Sequence, residues 1–185
     1  MTMYAFVVPL LLGFALGGLS AFTAAFSRRW GERGGQMVTI VLRNVVAIPL
    51  WGIGFIIAWR AEAPLLYTPG VLTQTLGWLL VIAGAVPVIW GHLELGWRTH
   101  MPSITDTLVR TGLYSRVRHP IYGGGILIFA GLALMRPTSA GMLASATGIV
   151  WAVVQARLEE LDLVQRLPAY REYMTRIPRF IPRFR

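Results

Sequence analysis

Long uninterrupted apolar runs constrain this chain more than any other feature. A helix needs roughly 20 apolar residues to cross the hydrocarbon of a bilayer, and three runs meet that length: Met3 to Phe26, Met37 to Trp59 and Leu72 to Leu93. Two more, Ile121 to Met135 and Thr138 to Ala156, are separated only by Arg136 and Pro137. The fourth run reaches about 22 Å at 1.5 Å per residue, less than a hydrocarbon core of roughly 30 Å. The last two runs are therefore expected to form a tight hairpin that returns the chain to the side it left. With 55% hydrophobic residues, 14% charged residues and a mean hydropathy of +0.59, a water-soluble domain could not hide so much apolar surface. The expectation is an all-α integral membrane protein. Residues 1–185 form a single membrane domain of about five transmembrane helices (3–26, 37–59, 72–93, 121–135 and 138–156), with a connection over 94–120 and an interfacial helical tail over 157–185.

The basic residues orient these spans. The formal charge is +9, and every basic side chain other than histidine is an arginine. Arg28, Arg29 and Arg33 fill the first connection, and Arg98, Arg110, Arg116 and Arg118 fill the third. Seven more, from Arg157 to Arg185, occupy the tail, leaving Arg60 and Arg136 for the opposite side. The excess of arginine on one side places the connection 94–120 and the tail in the cytoplasm and the amino terminus outside. The first run has no basic segment before it and exceeds the apolar length of a leader, so it reads as a span. An all-arginine basic set suggests a GC-rich bacterial genome, hence a bacterial inner membrane. The arginines flank apolar runs instead of forming one polar face, which fits anionic lipid headgroups and argues against nucleic acid. No protein partner is indicated. Cysteine is absent, which excludes disulfides and thiolate metal sites. His92 and His100 have no metal-ligand spacing, so no metal site is expected.

Two cytoplasmic segments hold most of the hydrogen-bonding capacity. The first is "TGLYSRVRHPIYGGG", residues 111–125. Pro120 suits the first turn of a helix, and Gly123, Gly124 and Gly125 then fall near its start. Glycines there cost roughly 0.8–1 kcal/mol each against alanine, which is tolerated where a backbone must approach a ligand or another helix. Helix-start N–H groups attract a carboxylate or phosphate. Arg118 adds a bidentate fork, and His119 and Tyr122 add donors. A glycine-lined helix crossing with an interfacial Arg–Tyr belt is the structural alternative.

The second segment, "QARLEELDLVQRLPAYREYMTRIPRFIPRF", begins where the last apolar run ends. Arg157 and Glu160 lie three apart and could pair on one helix face. Glu159 and Glu160 stand at the water–lipid boundary, where carboxylates are costly without partners. A neighbouring arginine or a positively charged cofactor would supply the missing cation; a solvated helical turn with internal ion pairs is the plainer reading. Beyond it, Tyr170, Tyr173, Pro178, Phe180, Pro182 and Phe184 alternate with arginines, as in a segment lying along the interface.

"GLYSRVRHPIYGG" resembles the G-x-Y-x-x-x-R-H-P-x-Y-x-G signature of the isoprenylcysteine carboxyl methyltransferase and phospholipid methyltransferase superfamily. "EELDLVQRLPAYREYMTRIPRFIP" resembles the E-E-x-x-L, Y-x-x-Y and P-R-x-I-P tail of the same group, so the likeness runs from about Leu95 to Phe184. The resemblance implies a membrane enzyme that uses S-adenosylmethionine in a pocket open to the cytoplasm, with an amphiphilic or lipidic small molecule as substrate. It points to Tyr114, Arg118, His119, Pro120, Tyr122, Gly123 and Glu160 for the cofactor, and to Arg157 and Glu159 for catalysis. One departure stands out: Leu167-Pro168 replaces the family's F-G. A carboxylate acceptor is the first expectation; a lipid amine or a thiol is the second. An NADPH-dependent membrane reductase, whose tail motifs are related, and a non-catalytic lipid- or partner-binding protein are the other classes.

Arg43, inside the second span, costs around 2.5–3.5 kcal/mol at a helix centre. It is expected either to pair with Glu94 or a lipid phosphate, or to bind an acidic substrate headgroup.

Overall fold

The computed structural model describes residues 4–183; Met3, Phe184 and Arg185 lie outside the described residues. The chain is helical, and its only extended pairing among these residues is an isolated bridge between Leu65 and Thr138. The elements are α1 (Val7–Leu19), α2 (Thr23–Ile40), a π-helical stretch (Val41–Ala47), α3 (Ile48–Arg60), α4 (Val71–Leu95), α5 (Pro120–Met135), α6 (Ser139–Arg166) and α7 (Tyr170–Arg176). Three helical stretches are long and apolar enough to cross a membrane: Thr23–Arg60, Val71–Thr99 and Ser139–Arg166. α1 and α5 are apolar but shorter.

The first expected span is not one helix. α1 ends at Leu19, the chain turns through Ser20–Phe22, and a new helix starts at Thr23. The Ser20 hydroxyl donates to Gly17 O at 2.6 Å, and the Ala24 N–H donates to the Asp162 carboxylate at 2.7 Å. A remote carboxylate thus satisfies a helix-start N–H that no intrahelical carbonyl can reach. The expected first connection is helical as a result. Arg28, Arg29 and Arg33 sit on α2, which bends at Gly31 (φ +72°) and runs on into the second apolar run.

α4 and α5 make the most extensive helix–helix contact among the described residues. Gly77, Gly84 and Gly91 recur every seventh residue on α4 and face Gly131, Gly124 and Ile121 of the antiparallel α5. A Cβ on Gly84 or Gly124 would run into the partner's backbone carbonyl. Small residues let the two backbones approach where lipid supplies no hydrophobic drive to associate. The outer face of α4 carries Leu72, Leu79, Ile82, Val86, Ile89 and Leu93, all exposed, as expected of a surface that lipid wets. The expected last-two-run hairpin is joined by Arg136–Thr138, yet α5 lies closer to α4 than to α6. On the α6 side, Phe129 packs over Gly148. α1, α3 and α6 share the apolar core of Phe6, Leu10, Phe14, Ala58, Ala140 and Ala144.

The tail also departs from expectation. α6 continues as one helix to Arg166, ten residues beyond the expected end of the span, so both glutamates ride on it. Leu167 ends it, Pro168 follows, and α7 folds back so that Tyr170 and Tyr173 are buried with Leu167 and not laid along an interface.

Gly124→Val should destabilise the protein by about 1–3 kcal/mol through overpacking against α4. Gly125→Ala, whose Cβ meets nothing within 4 Å, should instead stabilise it by roughly 0.8–1 kcal/mol through helix propensity. Equilibrium unfolding in mixed micelles measures both.

Candidate functional site

The site forms where the start of α5, the end of α6 and the returning tail converge. His119 caps α5 with a non-helical backbone and Pro120 occupies the first helical position, needing no N–H partner there. The Arg118 N–H donates to Pro178 O at 2.9 Å and the His119 N–H to Arg179 O at 3.0 Å. Phe180 then lies over Gly123, where a Cβ would meet it at ordinary contact distance.

Glu160 is the hub of this convergence. It is 4% exposed and takes three cationic or ring donors. Arg118 reaches its Oε1 through Nε at 3.0 Å and Nη2 at 2.9 Å. Arg179 grips both oxygens, Nε to Oε1 at 3.0 Å and Nη2 to Oε2 at 2.6 Å. His119 Nε2 stands 3.2 Å from Oε1. Arg118 Nη1 also donates to Met174 O at 2.7 Å and Ile177 O at 2.6 Å, binding α7 to α5.

Glu159, one residue earlier, faces a second cluster. Its Oε1 accepts from the Tyr122 hydroxyl at 2.6 Å, Arg43 Nη2 at 3.2 Å and Gln155 Nε2 at 3.4 Å. Its Oε2 has no hydrogen-bond partner among the described residues. Arg43 also donates from Nε to the Ser20 hydroxyl at 3.2 Å and from Nη1 to Thr99 O at 3.1 Å. Its carboxylate partner is therefore Glu159 and not Glu94, which instead accepts from Trp90 Nε1 and the Leu113 N–H. Both side chains keep about a fifth of their surface exposed (18% and 20%), and pairing lowers the cost of each charge beside apolar surroundings.

Of the residues singled out from the sequence, Arg118, His119, Pro120, Tyr122, Gly123, Glu159, Glu160 and Arg43 are brought together. Tyr114 stands behind them, buried against Gly91 of α4, its carbonyl accepting from the Tyr173 hydroxyl at 2.5 Å. Arg157 is exposed and makes no ion pair among the described residues; Glu160 takes Arg118 and Arg179 in its place. The packing of α6 decides this, not the spacing. Arg157 points outward from the face that carries Glu160.

Three site residues escape the sequence reading. Arg179 reads there as one arginine of an interfacial alternation. Gln155 is the lone amide of an apolar run. Tyr170 is 3% exposed, and its hydroxyl has no hydrogen-bond partner. Burial, then the nearby negative charge of Glu160, push the Tyr170 hydroxyl well above the ordinary phenol range, and burial raises Tyr173 to about 12. Tyr170 thus keeps its proton at every physiological pH.

This donor set fits an α-amino acid whose side chain bears a cation. Glu160 suits an ammonium. The N–H groups of Ile121 and Tyr122 in the first turn of α5 suit a carboxylate, with Arg118, its guanidinium already engaged by Glu160, Met174 O and Ile177 O, as the nearby positive charge. The ring of Tyr122 suits a sulfonium. The unpartnered Tyr170 hydroxyl is the polar group such a ligand would satisfy.

A family model described as phospholipid methyltransferase matches residues 72–169. A cobalt–zinc–cadmium resistance protein of Cupriavidus metallidurans is 35% identical over 114 residues, 60% of this chain and 50% of that protein. Methanethiol S-methyltransferase 1 of Bradyrhizobium diazoefficiens is 31% identical over 137 residues, 68% of this chain and 46% of its own length. A methanethiol S-methyltransferase of a Pseudomonas species is 26% identical over 163 residues, 82% of this chain and 60% of its own. The chain spans about half the length of most relatives it matches. No solved structure matches.

Glu160→Gln should destabilise the fold by about 3–5 kcal/mol, because Arg118 and Arg179 are left facing each other without a buried counter-charge. Glu172→Gln, which breaks an exposed pair with Arg176, should cost about 0–1 kcal/mol. Unfolding of both variants in the same micelles compares them directly.

Proposed function

The chain belongs to the phospholipid methyltransferase family, and from that premise we propose that it is a membrane-embedded, S-adenosylmethionine-dependent methyltransferase acting on a small amphiphilic or lipidic thiol. The observation that carries this reading is the pairing of two adjacent carboxylates with opposite surroundings. Glu160 meets cations on both oxygens, its Oε2 taking Arg179 alone, whereas Glu159 keeps an oxygen open.

Glu160, Arg118, His119, Tyr122, Gly123 and Tyr170 hold the cofactor in this reading. Bound there, S-adenosylmethionine supplies an electrophilic methyl group on a sulfonium. Glu160 and Arg118 orient the amino acid head by charge, and the Tyr122 ring faces the cation. Arg179 shares Glu160 with the incoming ammonium. The Phe180 segment, held by the Arg118 and His119 N–H groups, keeps water from the start of α5. Alignment of nucleophile and methyl is the main contribution such a site can make.

Glu159 is the acid–base group. A thiol must lose its proton on attack, and the open Oε2 can take it while Oε1 stays fixed by Tyr122, Arg43 and Gln155. A carboxylate acceptor, the first expectation from the sequence, needs no base and would meet Glu159 as a like charge. The S-methyltransferase relatives also favour the thiol. Arg43 positions Glu159 instead of binding substrate. Orientation follows the arginines, with the amino terminus outside, the site facing the cytoplasm, and a bacterial inner membrane as the setting.

Calorimetric titration with S-adenosylhomocysteine should show micromolar binding that weakens about tenfold or more in Tyr170→Phe and Glu160→Asp. Binding of NADPH, or of neither molecule by folded protein, would overturn the reading. With an alkanethiol acceptor, Glu159→Gln should lower kcat about a hundredfold while leaving S-adenosylhomocysteine affinity within about twofold.

A further inference from the structure

The end of the bundle opposite the site holds a second polar cavity. There α3 ends at Arg60, α4 begins at Val71, and the turn Arg136–Thr138 joins α5 to α6. An open groove of about 510 Å³ lies between these ends, lined by Trp59, Glu62, Leu65, Gln74, Met135 and Arg136. Small-molecule sites usually measure about 300–1,000 Å³. The whole length of α5 separates this groove from Glu159 and Glu160, so methyl transfer does not use it.

Arg136 is the group that needs an explanation. Its guanidinium makes no hydrogen bond or ion pair among the described residues and lies over the Trp59 ring at 5.6 Å. It is not spent on the carbonyls that end α5. Leu134 O accepts from the Tyr67 hydroxyl at 3.2 Å, and Met135 O accepts from Gln74 Nε2 at 2.8 Å. Nor does it stand clear of the apolar zone. The 16 residues of α5 rise about 24 Å, short of a hydrocarbon core of roughly 30 Å. The Gln74 bond sets the end of α5 level with the first turn of α4, so Val71 and Leu72, apolar and exposed, lie farther out.

A charge at that depth calls for a counter-charge, and a guanidinium fork matches a phosphate. Glu62 opens onto the same groove, exposed and without an ion pair among the described residues. It would repel a ligand that is only negative, and it suits one that carries a cation beside its phosphate. Arg60, the other arginine at this end, does not line the groove. We propose that the groove binds the headgroup of a glycerophospholipid from the leaflet opposite the site, with its phosphate on Arg136 and a primary ammonium at Glu62. The headgroup descends to a hairpin too short to reach it, and its acyl chains stay in the surrounding lipid.

The test is native mass spectrometry of the detergent-released protein, titrated with dioleoyl phosphatidylethanolamine and with dioleoyl phosphatidylglycerol. The ethanolamine lipid should bind at least about tenfold tighter than the glycerol lipid. Arg136→Gln should weaken that binding about tenfold, and Glu62→Gln should bring the two lipids within about twofold of each other. Neither side chain makes a hydrogen bond within the fold, so both variants should unfold in lipid-free micelles as the parent does. O-phosphoethanolamine, the head without its chains, should not displace the lipid at millimolar concentration; displacement would make the ligand a free phosphate compound and overturn the lipid assignment. Equal or tighter binding of the glycerol lipid, or binding unchanged by Arg136→Gln, would also overturn the proposal. So would binding lost in Glu159→Gln alone, which would put the lipid at the other end of the bundle. No methyl donor is needed, so the result stands whatever titration with S-adenosylhomocysteine shows.

Discussion

The architecture turns on one buried carboxylate. Glu160 sits at the end of a helix that has just left the hydrocarbon, where an ionised group without partners would be intolerable. Arg118 and Arg179 arrive from two different segments to neutralise it, with His119 beside them. In satisfying it they tie the start of α5, the length of α6 and the returning tail into one unit. Arg118 extends the tie to two α7 carbonyls. Such a cluster earns little net stability against an apolar replacement, but it fixes the relative position of every element that carries a polar group in the site.

A second constraint holds the scaffold rigid behind this cluster. The glycine faces of α4 and α5 press backbone on backbone, so the start of α5 cannot slide against α4. Gly91 meets Pro120 and the Tyr114 hydroxyl at the end of that contact nearest the site. The same glycines that cost helix propensity therefore position the RHP segment. The adjacent carboxylates then divide their roles by surroundings. Glu160 spends both oxygens on cations, while Glu159 spends one oxygen on Tyr122, Arg43 and Gln155 and keeps the other open.

Much of this was legible in the sequence. The apolar runs, the clustering of polar residues in two segments, and the need of both glutamates for cations all follow from the cost of charge and unpaired backbone near lipid. That calculus is local, so it can be read along the chain. It failed at the first helix, because the break at Ser20–Phe22 depends on Asp162, a carboxylate 138 residues away from the N–H it accepts from. It also failed for Arg157, whose spacing from Glu160 is right for an ion pair but whose side chain the packing of α6 turns outward.

What the sequence determined by itself is the class of molecule and where its chemistry is concentrated, since hydropathy and motif are properties of neighbouring residues. What only the tertiary structure decided is which charge meets which. Arg43 and Glu159 lie 116 residues apart, and Arg43 had several partners open to it on sequence grounds. Nor could a chain read residue by residue show that the Gln155 amide oxygen, or the Tyr170 hydroxyl beside Glu160, is buried without a partner. Pairing through space depends on how helices pack. That packing is set by the sum of many small contacts, the glycine faces above all, and by no single local pattern.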